Sequence, residues 1–123
     1  MRRVVTIGLV CFVTGCLTPS IPIPPPDPDK MEFHIVVDGG NSVATFMYPP
    51  EMNYQGGTAY LFNHDTGMGV FQLVNADFSI GPMSLRAKAG DQVVFSVEGA
   101  SETVSRCVVL REGTQDGTTY CSF

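Results

Sequence analysis

After residue 30, apolar and polar positions alternate along the chain with a period of two. Met31, Phe33, Ile35 and Val37 interleave with Glu32, His34, Val36 and Asp38. Successive side chains of a strand point to opposite faces, so this pattern predicts a half-buried strand. Gly39-Gly40-Asn41 predicts a turn, and Val43 to Tyr48 a second strand stopped by Pro49-Pro50. Pro49 to Gly57 predicts a longer loop. Thr58 to Phe62 and Met68 to Val74 predict a hairpin around Asn63-His64-Asp65-Thr66-Gly67. Leu85, Ala87 and Ala89 then alternate with Ser84, Arg86 and Lys88. Gly90-Asp91 turns the chain, and Val93, Phe95 and Val97 begin the next inward face. Thr103 to Leu110 and Thr118 to Phe123 predict the closing strands. No segment after residue 30 carries a helical period. Seven or eight short strands at regular spacing predict an all-β domain over residues 31–123, a single antiparallel β-sandwich.

The first thirty residues follow other rules. Arg2 and Arg3 precede a run from Val4 to Val13 in which Thr6 is the one polar side chain. That run has the length of a signal h-region and is too short to span a bilayer as a helix. It ends Val13-Thr14-Gly15-Cys16, which resembles the lipobox of bacterial lipoproteins. The resemblance implies a signal peptide over residues 1–15, and a Cys16 that is acylated (palmitate among its chains) and becomes the first mature residue. It also implies a membrane partner through the lipid, and Leu17 after the cysteine favours the outer membrane, on either its periplasmic or its surface face. Residues 17–30 read LTPSIPIPPPDPDK, with six prolines among fourteen positions. Proline fixes φ and cannot complete a ladder, so residues 16–30 predict a lipidated Cys and an extended spacer. At about 3.1 Å per residue the spacer would hold the domain roughly 40 Å from the lipid.

Charge narrows the partners. The chain carries a formal −5, and removing Arg2 and Arg3 leaves 5 − 12 = −7 beyond Cys16. An acidic domain repels phosphate backbones, which argues against nucleic acid.

Four cysteines are present. Cys11 lies in the h-region and Cys16 takes the lipid. Cys107 and Cys121 remain as an even pair outside the cytoplasm, which predicts a disulfide. Pairing across a hairpin turned at Glu112 to Asp116 would set Val109 opposite Thr119 and gather Val108, Leu110 and Tyr120 on one face. The pair is not C-x-x-C and lacks a neighbouring His or Lys, so its role is read as structural.

Ala89-Gly90-Asp91-Gln92-Val93-Val94-Phe95 resembles the A-G-D-x-V-x-F turn and strand of bacterial immunoglobulin-like and cupredoxin-like sandwiches. It implies an Ig-like architecture, without the buried Trp of antibody domains, since the chain has no Trp. Blue copper requires two His and a Cys in close array. His34 and His64 are the two histidines, and neither neighbours a domain cysteine in sequence. Zinc meets the same shortage of ligands. Asp38-Gly39-Gly40-Asn41 and Asn63-His64-Asp65 read as turn chemistry before calcium ligation. No G-x-S-x-G elbow or phosphate loop occurs, and no spacing supports a Ser-His-Asp set. Glu98, Glu102 and Glu112 read as solvated positions. The expectation is a non-enzyme with no metal and no cofactor.

Two loops remain as candidate recognition surfaces. The first is Pro49 to Gly57, with Met52, Asn53 and Tyr54 at its centre; the second is Asn63 to Met68. Loops carry much of the recognition in sandwiches. The competing reading folds Met52 and Tyr54 back over the open end of the core. Tyr48, Tyr54 and Tyr60 could stack on sugar rings, though the lack of Trp weakens that reading. The functional expectation is a membrane-anchored interaction module of the cell envelope that binds a protein or an envelope polymer. The alternative is an inhibitor lipoprotein that shields the envelope from a hydrolase such as lysozyme.

Overall fold

The alternation of the first strand is realised directly. In the computed structural model, which describes residues 22–123, β1 (Glu32–Asp38) buries Phe33 and exposes His34. The chain reverses at Gly39 and Gly40, both at positive φ, into β2 (Asn41–Tyr48), which buries Ala44, Phe46 and Tyr48. β3 (Thr58–Asn63) and β4 (Met68–Leu73) form the expected hairpin. β5 (Ile80–Arg86), β6 (Gln92–Glu98), β7 (Thr103–Val109) and the two-residue β8 (Gly113–Thr114) follow. The strands make two four-stranded antiparallel sheets, β5-β2-β1-β8 and β4-β3-β6-β7. The chain changes sheet between β2 and β3, between β4 and β5, between β5 and β6, and between β7 and β8. This Greek-key route belongs to immunoglobulin-like sandwiches, so the expected fold class holds.

Aromatic rings fill the space between the sheets. Phe46 bridges them, with its ring centroid 4.9 Å from Phe33 and 4.6 Å from Phe95. Tyr48 lies 5.5 Å from Phe95, and Leu61, Val93, Val97 and Ile80 complete the layer. Each fully buried side chain of this kind contributes about 1.5–3 kcal/mol.

The A-G-D turn forms a corner between β5 and β6. Gly90 takes φ +94°, a conformation that a side chain would strain. Asp91 is 6% exposed, and its Oδ2 accepts from Asn63 Nδ2 (2.8 Å) and the Lys88 N–H (3.0 Å). Its carbonyl accepts from the Leu110 N–H at 2.8 Å. The buried Asp91 therefore joins the end of β3 and the corner through its carboxylate, and the exit of β7 through its backbone carbonyl. Charge-assisted bonds of this kind are the strong class.

Three expectations are corrected. The strand expected over Ser84 to Ala89 runs instead from Ile80 to Arg86, and Ala89 is exposed in the following turn. It starts early because the Asn75 N–H donates to the Ser79 carbonyl and the Phe78 N–H to the Asn75 carbonyl, which aims the chain into the sheet at Ile80.

The expected strand at Thr118 to Phe123 does not form. Gly113 at φ +88° sends the chain across to β1, where Thr114 pairs with Glu32 and Gly113 with Phe33. Gln115 locks that crossing while fully buried. Its Nε2 donates to the carbonyls of Arg111 (2.7 Å) and Gly113 (2.9 Å), and its Oε1 accepts from the Arg111 N–H (3.1 Å). Tyr120 consequently does not share a face with buried Val108 and Leu110; it is exposed.

The domain also begins before Met31. Pro26 and Pro28 are buried, and Ile23 packs against the core. The Tyr54 hydroxyl donates to the Pro24 carbonyl (2.7 Å), and the Asp27 N–H donates to the Tyr48 hydroxyl (3.1 Å). The Ile23 N–H reaches the Glu102 carboxylate, and the Pro28 carbonyl accepts from the Gln115 N–H. Residues 23–30 therefore form a strap over the end of the sandwich that carries the 49–57 and 99–102 loops. Pyrrolidine rings lack an N–H to satisfy, so they cover an apolar core end at little polar cost.

Candidate functional site

The structure divides the loop expected to be a binding tip. A single 3-10 turn spans Met52–Tyr54, and the Glu51 side chain caps it by accepting from Asn53 N–H (3.3 Å) and Asn53 Nδ2 (2.8 Å). Tyr54 is 1% exposed and its ring lies 5.9 Å from that of Tyr48. Burial first, then the neighbouring Tyr48, pushes its hydroxyl well above the ordinary phenolic pKa. Tyr54 is thus core, as the competing reading had it. Met52 does not fold back and is 75% exposed, with Asn53 exposed beside it.

The second candidate loop is consumed by the scaffold. Asn63 is fully buried, donating to Asp91 and to the Arg86 carbonyl (3.1 Å) while its Oδ1 accepts from the Asp65 N–H (3.0 Å). Asp65 Oδ2 accepts from the Gln92 N–H at 2.7 Å. His64 stacks on Phe123 with centroids 3.7 Å apart and planes 6° apart. A cavity of about 490 Å³ opens at this end, with Ser42, Asp65, Arg86, Lys88 and Asp91 in its walls. Its carboxylates are already engaged by backbone N–H groups, and among the described residues Arg86 and Lys88 form no ion pair.

Cys107 and Cys121 are joined, with Cα atoms 6.1 Å apart. The bridge ties β7 to the irregular C-terminal residues. It does not link two strands of a hairpin, because Gly113 and Gln115 have already sent the chain to the other sheet. Cys16 and the signal segment lie outside the described residues.

His34 lies on the outer face of β1, 3.3 Å from Glu112. The Ile35 N–H donates to the same carboxylate (2.9 Å) and, with His34 second, holds it below the usual carboxylate range. Among the described residues, no group of three His, Cys, Asp or Glu comes together.

The surface missed at the level of sequence is the outer face of the β4-β3-β6-β7 sheet. The registers place Phe71 opposite Tyr60 and Gly69 opposite Phe62, with Thr58 opposite Leu73. The rows continue from Tyr60 to Ser96 and Ser105, and from Phe62 to Val94 and Cys107. Phe71 is 73% exposed and Leu73 72%, with Tyr60 and Phe62 exposed beside them. The Tyr60 and Phe71 rings lie 6.0 Å apart. A contiguous group of large apolar side chains on one sheet face is the usual mark of an interaction site. The signal was legible in TAYLFN and MGVFQL, where both strand faces are apolar while one sheet face should be polar.

No protein-family model matches the chain, no curated protein matches it, and no solved structure matches it.

Proposed function

We propose that this chain is a membrane-anchored, non-enzymatic interaction module of the bacterial cell envelope. It is held by acylated Cys16, at the outer membrane, and binds through the outer face of the β4-β3-β6-β7 sheet. One observation carries the binding half of this reading: Tyr60, Phe62, Phe71 and Leu73 crowd one solvent-facing sheet surface. Covering the apolar area they leave in water would stabilise a complex by roughly 25 cal/mol per Å², most of it from Phe71 and Leu73, the two most exposed. The anchor half is supported by Val13-Thr14-Gly15-Cys16 behind a basic and apolar leader.

The test has two arms. Wild-type chain and Cys16→Ser are labelled with radioactive palmitate and fractionated. The wild type is expected to take label and sediment with membranes, and the variant to do neither. A photoreactive residue replacing Phe62 is then expected to crosslink an envelope component in intact cells. The same residue replacing Ser84, on the opposite sheet, serves as the control. A labelled, membrane-bound Cys16→Ser sinks the anchor. Equal crosslinking from both positions, or from neither, sinks the binding face.

A further inference from the structure

We propose that two copies of this chain pair through their β4 edges, antiparallel about a two-fold axis at Phe71, joining two four-stranded sheets into one of eight. The inference rests on the free edge and deepens the binding face above without depending on the anchor.

β4 is the terminal strand of its sheet, and no strand among the described residues pairs with its outer side. β5, the edge of the other sheet, approaches β4 but forms no ladder with it. The phase of the ladder fixes which backbone groups are free. The Val74 N–H donates to the Gly57 carbonyl (3.0 Å), one step beyond the Thr58 and Leu73 pair. In an antiparallel ladder, hydrogen-bonded and non-bonded pairs alternate. Even-numbered β4 positions therefore turn their N–H and C=O groups toward β3. Gly69, Phe71 and Leu73 turn theirs outward.

Protein edges are normally defended by charge, proline or a bulge. β4 reads MGVFQL, with no charge and no proline, and its register with β3 is unbroken. The rest of this acidic chain repels a second copy, and the uncharged edge is where two copies can meet.

The occupant follows from self-complementarity, which a two-fold interface requires. With the axis at Phe71, Phe71 pairs with its own counterpart and Gly69 pairs with the partner's Leu73. All three are outward-bonding positions. The three N–H and three C=O groups on each copy then satisfy one another. The side chains fit as well. Gly69 leaves the outer face bare beside Phe62, where a Cβ would lie 3.2 Å from the ring. Leu73 is the most exposed aliphatic residue of the strand, and the pairing lays it over that bare position. The two Tyr60 and Phe71 ring pairs meet in one row across the seam.

The test uses the full chain in bacterial membranes, oxidised and run on a non-reducing gel. Cα atoms of a directly opposed, hydrogen-bonded pair lie about 5.5 Å apart, within disulfide reach. Phe71→Cys is therefore expected to yield a covalent dimer absent from wild type. Gln72→Cys faces the other way and sits diagonal to its counterpart, about 7–8 Å away, so it is expected to stay monomeric. Sedimentation of detergent-solubilised chain provides the second readout: wild type as a dimer, Phe71→Lys as a monomer. Phe71 is largely exposed, so neither change threatens folding. Wild type sedimenting as a monomer overturns the proposal. So does Phe71→Cys remaining uncrosslinked, or Gln72→Cys crosslinking equally well. None of these results touches palmitate labelling or crosslinking from Phe62 to other envelope components, so the two readings fail separately.

Discussion

Replacing Tyr54 separates a core residue from a binding tip. Tyr54 sits in the loop that sequence marks as recognition surface, yet its ring is enclosed by Tyr48 and the strap and its hydroxyl reaches Pro24 at 2.7 Å. Tyr54→Phe removes one hydroxyl-to-carbonyl bond and keeps the ring, a loss of about 1 kcal/mol. Tyr54→Ala also removes a buried aromatic and leaves a cavity, for which about 3–5 kcal/mol is the usual cost. A domain of this size loses about 4–5 °C of melting temperature per kcal/mol, so the expected drops are roughly 5 °C for Phe and 12–25 °C for Ala. Met52→Ala, two residues away and exposed, should move the midpoint by at most about 2 °C. The assay is thermal unfolding followed by near-ultraviolet circular dichroism, with urea unfolding as a check at fixed temperature. Tyr54→Ala no more damaging than Met52→Ala would refute the placement of Tyr54 in the core and restore the loop as a tip.

Three further outcomes are expected. Cys107→Ser with Cys121→Ser opens a link of sequence separation 14 and should cost about 3 kcal/mol in urea unfolding; equal midpoints for the bridged and unbridged chains would remove its stabilising role. Gly81→Ala should cost at least about 2 kcal/mol, because φ is +99° and the new Cβ would lie 2.3 Å from the Phe46 carbonyl oxygen; a wild-type melting curve would contradict that. Asp116 accepts from Thr118 Oγ1, the Thr118 N–H and Thr119 Oγ1, which lower its pKa from 3.8 to about 2. The folded state thus binds this proton less tightly than the unfolded state. The contribution is complete above pH 3.8 and disappears as pH falls through about 2. The gap between wild type and Asp116→Asn in thermal midpoint should narrow over that window, and a constant gap would count against it.

Much of the sandwich was legible because its strands obey local rules. Phe33 and His34 separate onto two faces as their alternation requires, and the β3–β4 hairpin closes on Asn63 and Met68 near its expected ends. What could not be read depends on distant partners. The proline run looked like a spacer because proline cannot join a ladder. Its docking is decided by Tyr48, Tyr54 and Gln115, each distant in sequence and supplying a hydrogen bond or a buried surface. The C-terminal hairpin looked consistent because Val109 and Thr119 could face each other. A glycine at positive φ and one buried glutamine sent the chain to the other sheet instead. The recognition surface was sought in loops, where Asn, Asp and Tyr suggest chemistry. Asn63 and Tyr54 serve the scaffold, and the exposed apolar group lies on a sheet, where Phe and Leu read as core by default.

The strap changes the reach of the molecule. Under the proposed acylation of Cys16, residues 17–22 would separate the lipid from Ile23, the first of the described residues to pack against the core. Six residues span at most about 22 Å even when drawn straight, less than half of what fourteen residues span at the same rise. The described chain enters the sandwich beside Gly99 and Glu102, so the proposed anchor would tether that end to the bilayer. The β1–β2 hairpin tip and the cavity walled by Arg86 and Lys88 lie at the opposite end of the sandwich. Strand β4 runs between the two ends, so antiparallel pairing of its edge would set the tethered ends of two copies at opposite ends of the joined sheet. Two copies anchored in one leaflet would therefore pair with their strands lying along the bilayer and not upright on it.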